Sequence, residues 1–203
     1  MGRFELVRIT LSVIVMLCVS LSSWVGVGEG AASTACDGTP YPQLCTQILQ
    51  TNPSTMASTN PPPLQLQVSA MAAYALALTK ISYQEAAVSG SSSSSLDDCI
   101  DLLRDSMDQL SLAISRCAAL VDVGAETQSL RRRHIMDIQV ALSQAFTMQG
   151  TCSDGLDQAP DSELSAFKSS TTTMALIITR STEIGHVEDV ALSLADTLRQ
   201  TAP

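Results

Sequence analysis

Aromatic side chains supply only 3% of this 203-residue chain, as three Phe, three Tyr and one Trp, and charged residues supply only 15%. Strands draw on aromatic and β-branched residues, whereas Ala and Leu head the helix scale. With 45% apolar content carried mostly by Ala, Leu, Val, Ile and Met, the composition is that of an all-helical protein with enough apolar mass for a real core. Histidine is scarcer still. His134 and His186 stand 52 positions apart, and each reads as a solvated or capping residue rather than a ligand. The chain has no GxSxG elbow, no Gly-rich phosphate loop, no HExxH and no CxxC. No catalytic residue, metal ligand or cofactor is therefore assigned, and the protein is read as a non-enzyme. Asn52 and Asn60 are each followed by Pro, which leaves no N-glycosylation sequon.

Basic charge is also in short supply. Eleven Lys and Arg face twenty Asp and Glu, for a net charge of −9. Such a surface repels nucleic acid and anionic lipid, so partners are expected to be neutral or basic. What stands at the N-terminus is Arg3 and Arg8, an apolar run from Ile9, and small residues from Gly28 to Ala32. This pattern predicts a secretory signal peptide over residues 1–30, with the mature chain at 31–203 and no membrane association after cleavage. The leader removes two basic and two acidic side chains, so the mature charge stays at −9.

Downstream, CDGTPYPQLC (Cys36 to Cys45) leads into a short helical stretch at Thr46–Gln50. TNPSTMASTNPPP then excludes regular helix with its four prolines. Four helical patterns follow. The first, Leu64 to Val88, places Leu66, Ala70, Ala73, Ala77 and Ile81 on one stripe and ends at a serine tract read as a flexible link. The second, from Leu96, carries Leu103, Met107, Leu110, Ile114, Cys117 and Val121 inward, with Asp98, Asp101, Asp105 and Asp108 outward. The third, about Ser129 to Cys152, turns Ile135, Ile138, Leu142, Ala145 and Met148 inward, with Gly155 and Pro160 as stop signals. The fourth, near Asp161 to Arg199, runs through Leu164, Phe167, Met174, Ile178, Leu192 and Leu198, with a kink expected at Gly185. Four amphipathic helices on short links predict an up-down-up-down bundle.

The mature chain has five cysteines, so one is left free. Cys99 opens the second helix and Cys152 closes the third, and an antiparallel pair returns both to one end of the bundle. Cys117 lies 18 residues along the same helix from Cys99, roughly 27 Å away, well beyond the 7 Å or so that a disulfide spans between Cα atoms. Cys36 and Cys45 remain for each other, and Cys117 is read as a small buried hydrophobe. Arg131 to His134 form a basic cluster at the start of the third helix, for which Glu126 or Asp137 would be the local ion-pair partner.

Several short pieces in this order carry a resemblance: Cys36, Tyr41, Pro42 and Cys45; Leu96, Asp98 and Cys99; Ser143, Ala145 and Thr147; Thr151, Cys152 and Asp154; Ala175 and Leu176. Together they resemble the plant invertase and pectin methylesterase inhibitor family over nearly all of the mature chain. The resemblance implies an all-α fold, an up-down-up-down four-helix bundle at 64–203 preceded by a short disulfide-bridged N-terminal helical hairpin at 31–63. It implies a secreted, non-catalytic protein of the cell wall or vacuole whose partner is pectin methylesterase or acid invertase. In the esterase branch the bundle covers the pectin-binding cleft in a one-to-one complex. The family's usual Trp in the third helix is Ala141 here, and its SAALT reads SQAFT, with Gln144 expected to face outward. The Pro-Lys-Phe stretch common in the invertase branch is absent, since Phe167 and Lys168 follow Ala, which favours the esterase. The expected target-binding residues are Asp101, Asp105, Asp108, Gln109, Asp137 and Gln144. Outside the family, a helical wall protein carrying a small apolar ligand would need a cavity lined by Met71, Met107 and Met174.

Overall fold

The computed structural model describes residues 33–52, 55, 62–88, 93–122, 128–160 and 171–201. The expected signal peptide, Leu164, Phe167 and Glu126 lie outside the described residues. Residues Ala31–Pro203 cluster into one compact unit. Its described elements are all helical: α1 (Ser33–Cys36), α2 (Pro42–Thr51), α3 (Leu64–Val88), α4 (Ser94–Asp122), α5 (Gln128–Asp157) and α6 (Thr171–Thr201). α3 to α6 form the bundle. α4 packs on α5, α5 on α6, α6 on α3 and α3 on α4, which closes an up-down-up-down ring, while α1 and α2 lie against α3 and α6.

The bridged turn is built by its own sequence. Cys36 and Cys45 are joined with Cα atoms 5.6 Å apart, and both are fully buried. Thr39 turns the chain between them, its amide and hydroxyl both donating to the Cys36 carbonyl at 2.9 and 2.7 Å. Pro42 then opens α2 at a position where a proline loses no intrahelical hydrogen bond. The end of the serine tract has a structural task, because Ser93 Oγ accepts from the Leu96 amide at 3.2 Å and so caps α4. At the other extreme, α5 runs through Gly155 to Asp157, beyond the expected stop at Cys152, and ends before Pro160. α6 remains helical through Gly185.

Cys99 and Cys152 are bonded with Cα atoms 4.5 Å apart, at the tips of antiparallel α4 and α5. Leu96, Leu103, Leu156, Ile177 and Ala86 bury this bridge in one apolar cluster. Cys117 is free and buried in a second, larger cluster with Leu110, Ala113, Ile135 and Ile138. Burial pushes its thiol pKa up to about 12. The folded 31–203 chain should therefore resist thiol-labelling reagents, whereas the unfolded, unreduced chain should take up one label. Labelling of the folded protein at the rate of an open cysteine would contradict this packing.

The stripe expected for α3 is displaced. Of its members Ala70 is buried, Leu66 and Ala73 are half-buried and Ala77 and Ile81 are exposed, and the buried side is Gln67, Val68, Ala70, Met71, Ala72, Ala75, Thr79, Ser82 and Ala86. α3 is apolar nearly all round, so hydrophobic spacing does not select a face, and the polar Thr79 and Ser82 go inward. For Thr79 a partner explains this. Gln149 on α5 is buried, and its Nε2 donates to Thr79 Oγ1 at 2.9 Å and to Ser106 Oγ of α4 at 3.0 Å. One carboxamide thus ties three helices at a single level of the core. His134, expected to be solvated or capping, is buried instead. Among the described residues Arg131, Arg132 and Arg133 form no ion pair, and Asp137 pairs with Arg116 across the α4–α5 seam at 3.3 Å.

Candidate functional site

The seam between α4 and α5 carries the expected binding residues because the two helices run antiparallel with their acidic and polar sides outward. Gln109 on α4 and Gln139, Val140, Ser143, Gln144, Thr147 and Met148 on α5 line an open groove of about 550 Å³. Gln144 is exposed, as a carboxamide should be where no buried partner is available. Val140 is 54% exposed, and Met136 one turn earlier is 60% exposed. Two large apolar side chains are therefore open to solvent on one stripe of α5, rimmed by polar groups. The result is an exposed apolar stripe bordered by polar side chains along the groove.

The structure distributes the six expected residues unevenly. Gln109 from α4 and Gln144 from α5 both line the groove. Asp137 sits beside it, engaged by Arg116. Asp105 and Asp108 are exposed along α4. Asp101 lies farther off, hydrogen-bonded to Arg104 at 2.6 Å, and lines a different hollow next to the Cys99–Cys152 bridge with Ser95, Asp98 and Thr151. The exposure of Met136 and Val140 had no signal in the sequence, since periodicity assigns apolar side chains to the core. Only their offset from the Ile135–Ile138–Leu142 stripe distinguishes them.

Among the described residues no group of three His, Cys, Asp or Glu is placed to hold a metal ion. Met71 is fully buried and Met107 half-buried, neither lines this groove, and the side chain of Met174 lies outside the described residues. Among the described residues no helix is long and apolar enough to cross a membrane.

A four-helix bundle with a bridged N-terminal hairpin, a bridge at the α4–α5 tips and an exposed apolar stripe on α5 defines a class of helical protein. The chain belongs to the plant invertase/pectin methylesterase inhibitor family, whose profile matches residues 31–194. It is 30% identical over 136 residues to a probable pectinesterase/pectinesterase inhibitor 34 of Arabidopsis thaliana, a match that takes in 64% of this chain and 21% of that protein. The chain thus spans about a fifth of the length of that relative. Its fold is similar to a crystal structure of a mutant form of a pectin methylesterase inhibitor from Arabidopsis, with a TM-score of 0.55 at 18% identity. That likeness covers 86% of this chain and 99% of the other.

Proposed function

We propose that the protein is a secreted inhibitor of pectin methylesterase, with residues 1–30 as its signal peptide and 31–203 as the inhibitor domain of the cell wall. It binds the enzyme one to one and lays the α4–α5 face across the pectin-binding cleft, blocking access without entering the chemistry. Family membership supports the class, and the exposed Val140–Met136 stripe beside Gln109 and Gln144 is the observation that supports this face. A bundle stapled by two disulfides loses little freedom on docking, which is what a competitive plug requires. An interface of standard size would bury about 1,600 Å², more than the groove alone, so the exposed carboxylates of Asp105 and Asp108 would fall at its polar rim.

The test is a titration of the 31–203 protein against several pectin methylesterases and acid invertases, with residual turnover as the readout. Inhibition of at least one esterase and no invertase is expected. The double change Val140→Glu and Gln144→Arg should raise the inhibition constant at least tenfold with helicity unchanged, because it places charge at the centre of the covered patch. Asp105→Asn with Asp108→Asn should change it less. Inhibition confined to invertases would replace the target, and no inhibition in the whole panel would overturn the reading.

A further inference from the structure

A second groove, of about 810 Å³, lies between the bridged N-terminal turn and α6. That size is in the range of small-ligand sites. Its two walls differ in chemistry. The turn contributes Pro40, Tyr41, Pro42, Gln43 and Leu44, a stiff and mostly apolar wall whose one carboxamide is Gln43. Proline fixes the backbone there, and the Cys36–Cys45 bridge holds the turn closed. The facing helix contributes Ile178 at its edge and a polar row, Thr179, Thr182, Glu183 and His186, at three- and four-residue spacing and therefore on one face. From Thr179 to His186 this polar ladder extends about 10 Å along the helix. The walls meet where Tyr41 and His186 stack, with ring centroids 4.1 Å apart and planes at 29°. Glu183 is steadied from outside the groove, since the Tyr74 hydroxyl donates to its Oε1 at 3.1 Å.

We propose that this groove is a saccharide site that takes an uncharged oligosaccharide. A sugar ring has a C–H face and a hydroxyl edge, and a groove with one mostly apolar wall and one ladder of hydroxyl, carboxylate and imidazole groups fits both at once. Glu183 only accepts hydrogen bonds, so it calls for donors, and sugar hydroxyls supply them in charge-assisted form. A wholly apolar ligand would strip water from Glu183 and the two threonines with nothing in return. A polyuronate would bring carboxylates against Glu183 with no Lys or Arg lining the groove, on a chain of net charge −9. The site is on α6 and the hairpin, away from the α4–α5 seam, so a bound saccharide would tether the protein to a polysaccharide while its docking face stays free.

Titration of isotope-labelled 31–203 protein with cellotetraose, with a methyl-esterified galacturonate trimer, with the same trimer de-esterified, and with a lysine-rich peptide tests this. The expected result is saturable NMR shifts at Tyr41, Thr182 and His186 with at least one of the two uncharged sugars, and binding at least tenfold weaker for the de-esterified trimer. His186→Ala should weaken sugar binding at least tenfold. Thr182→Val, a change at an exposed side chain that leaves the Tyr41–His186 stack in place, should weaken it at least threefold and keeps the test decisive if the first variant fails to fold. Thr182→Val should leave enzyme inhibition unaltered, so this proposal and the docking proposal fail separately. No saturable shifts with either uncharged sugar, shifts elsewhere on the surface, or preference for the acidic trimer or the peptide would overturn the assignment.

Discussion

Unfolding free energy should fall as pH rises from about 4.5 to 8, and Glu188→Gln should flatten that fall. Glu188 lies in α6 with no solvent exposure, among Ile184, Val187, Ala191 and Leu194, and neither carboxylate oxygen has a hydrogen-bond partner among the described residues. Desolvation, with the adjacent Asp189 charge as the smaller cause, raises its pKa from an ordinary 4.5 to about 8. The folded state therefore holds a proton that the unfolded chain releases. An acid raised in this way contributes most below its unfolded pKa, and the contribution is lost as pH climbs through the folded value. The shift is on the order of 5 kcal/mol across that window, and roughly 3 of it is gone by pH 7. This is a large fraction of a typical domain's stability.

Urea midpoints of wild type and Glu188→Gln at pH 4.5, 6 and 7.5 isolate the effect, because the packing consequences of an amide cancel in the difference between pH values. The variant should gain on the order of 3 kcal/mol relative to wild type between the first and last of these. A wild-type stability that is level or rising over pH 5–8, or parallel profiles for the two proteins, would show that the carboxyl finds water or a partner in solution. Exposed carboxylates act in the opposite sense at lower pH. Asp196, held below its ordinary pKa chiefly by the hydrogen bond from Arg199, favours the folded state above its unfolded pKa and loses that contribution on acidification.

What could be read from the residues was set by contrast. α4 was legible because its aspartates leave one unambiguous apolar side, and the cysteine pairing followed from helix length and direction alone. α3 was not, because Ala and Leu surround it. The level of the core at which Thr79, Ser106 and Gln149 meet was invisible to a rule that counts only hydrophobic spacing. Glu188 escaped for the same reason, since one acid in an amphipathic helix is normally assigned to solvent. At the α4–α5 face the exposure of Val140 and Met136 was not legible either, because periodicity assigns apolar side chains to the core.

Removing the Cys99–Cys152 bridge should cost the bundle about 4 kcal/mol, and removing Cys36–Cys45 roughly 2 to 3, because the first closes a loop of 53 residues and the second one of 9. Paired Cys→Ala changes avoid leaving a buried hydroxyl, and urea unfolding should rank the two losses in that order. Position matters as well as size. The 99–152 bridge pins the tips of α4 and α5, one turn beyond the level where Gln149 joins Thr79 and Ser106. That carboxamide is useful only while all three helices keep register, since its partners are otherwise left buried and unpaired. With the clamp gone, the tip can separate and admit water to that level first. Backbone amides at Leu96–Leu103 and Thr151–Asp157 should then lose hydrogen-exchange protection, while those around Cys117 and Ile138 keep theirs. Equal losses for the two bridges, or protection lost evenly along α4 and α5, would mean that apolar packing by Leu103, Leu156 and Ile177 closes this end without help from sulfur.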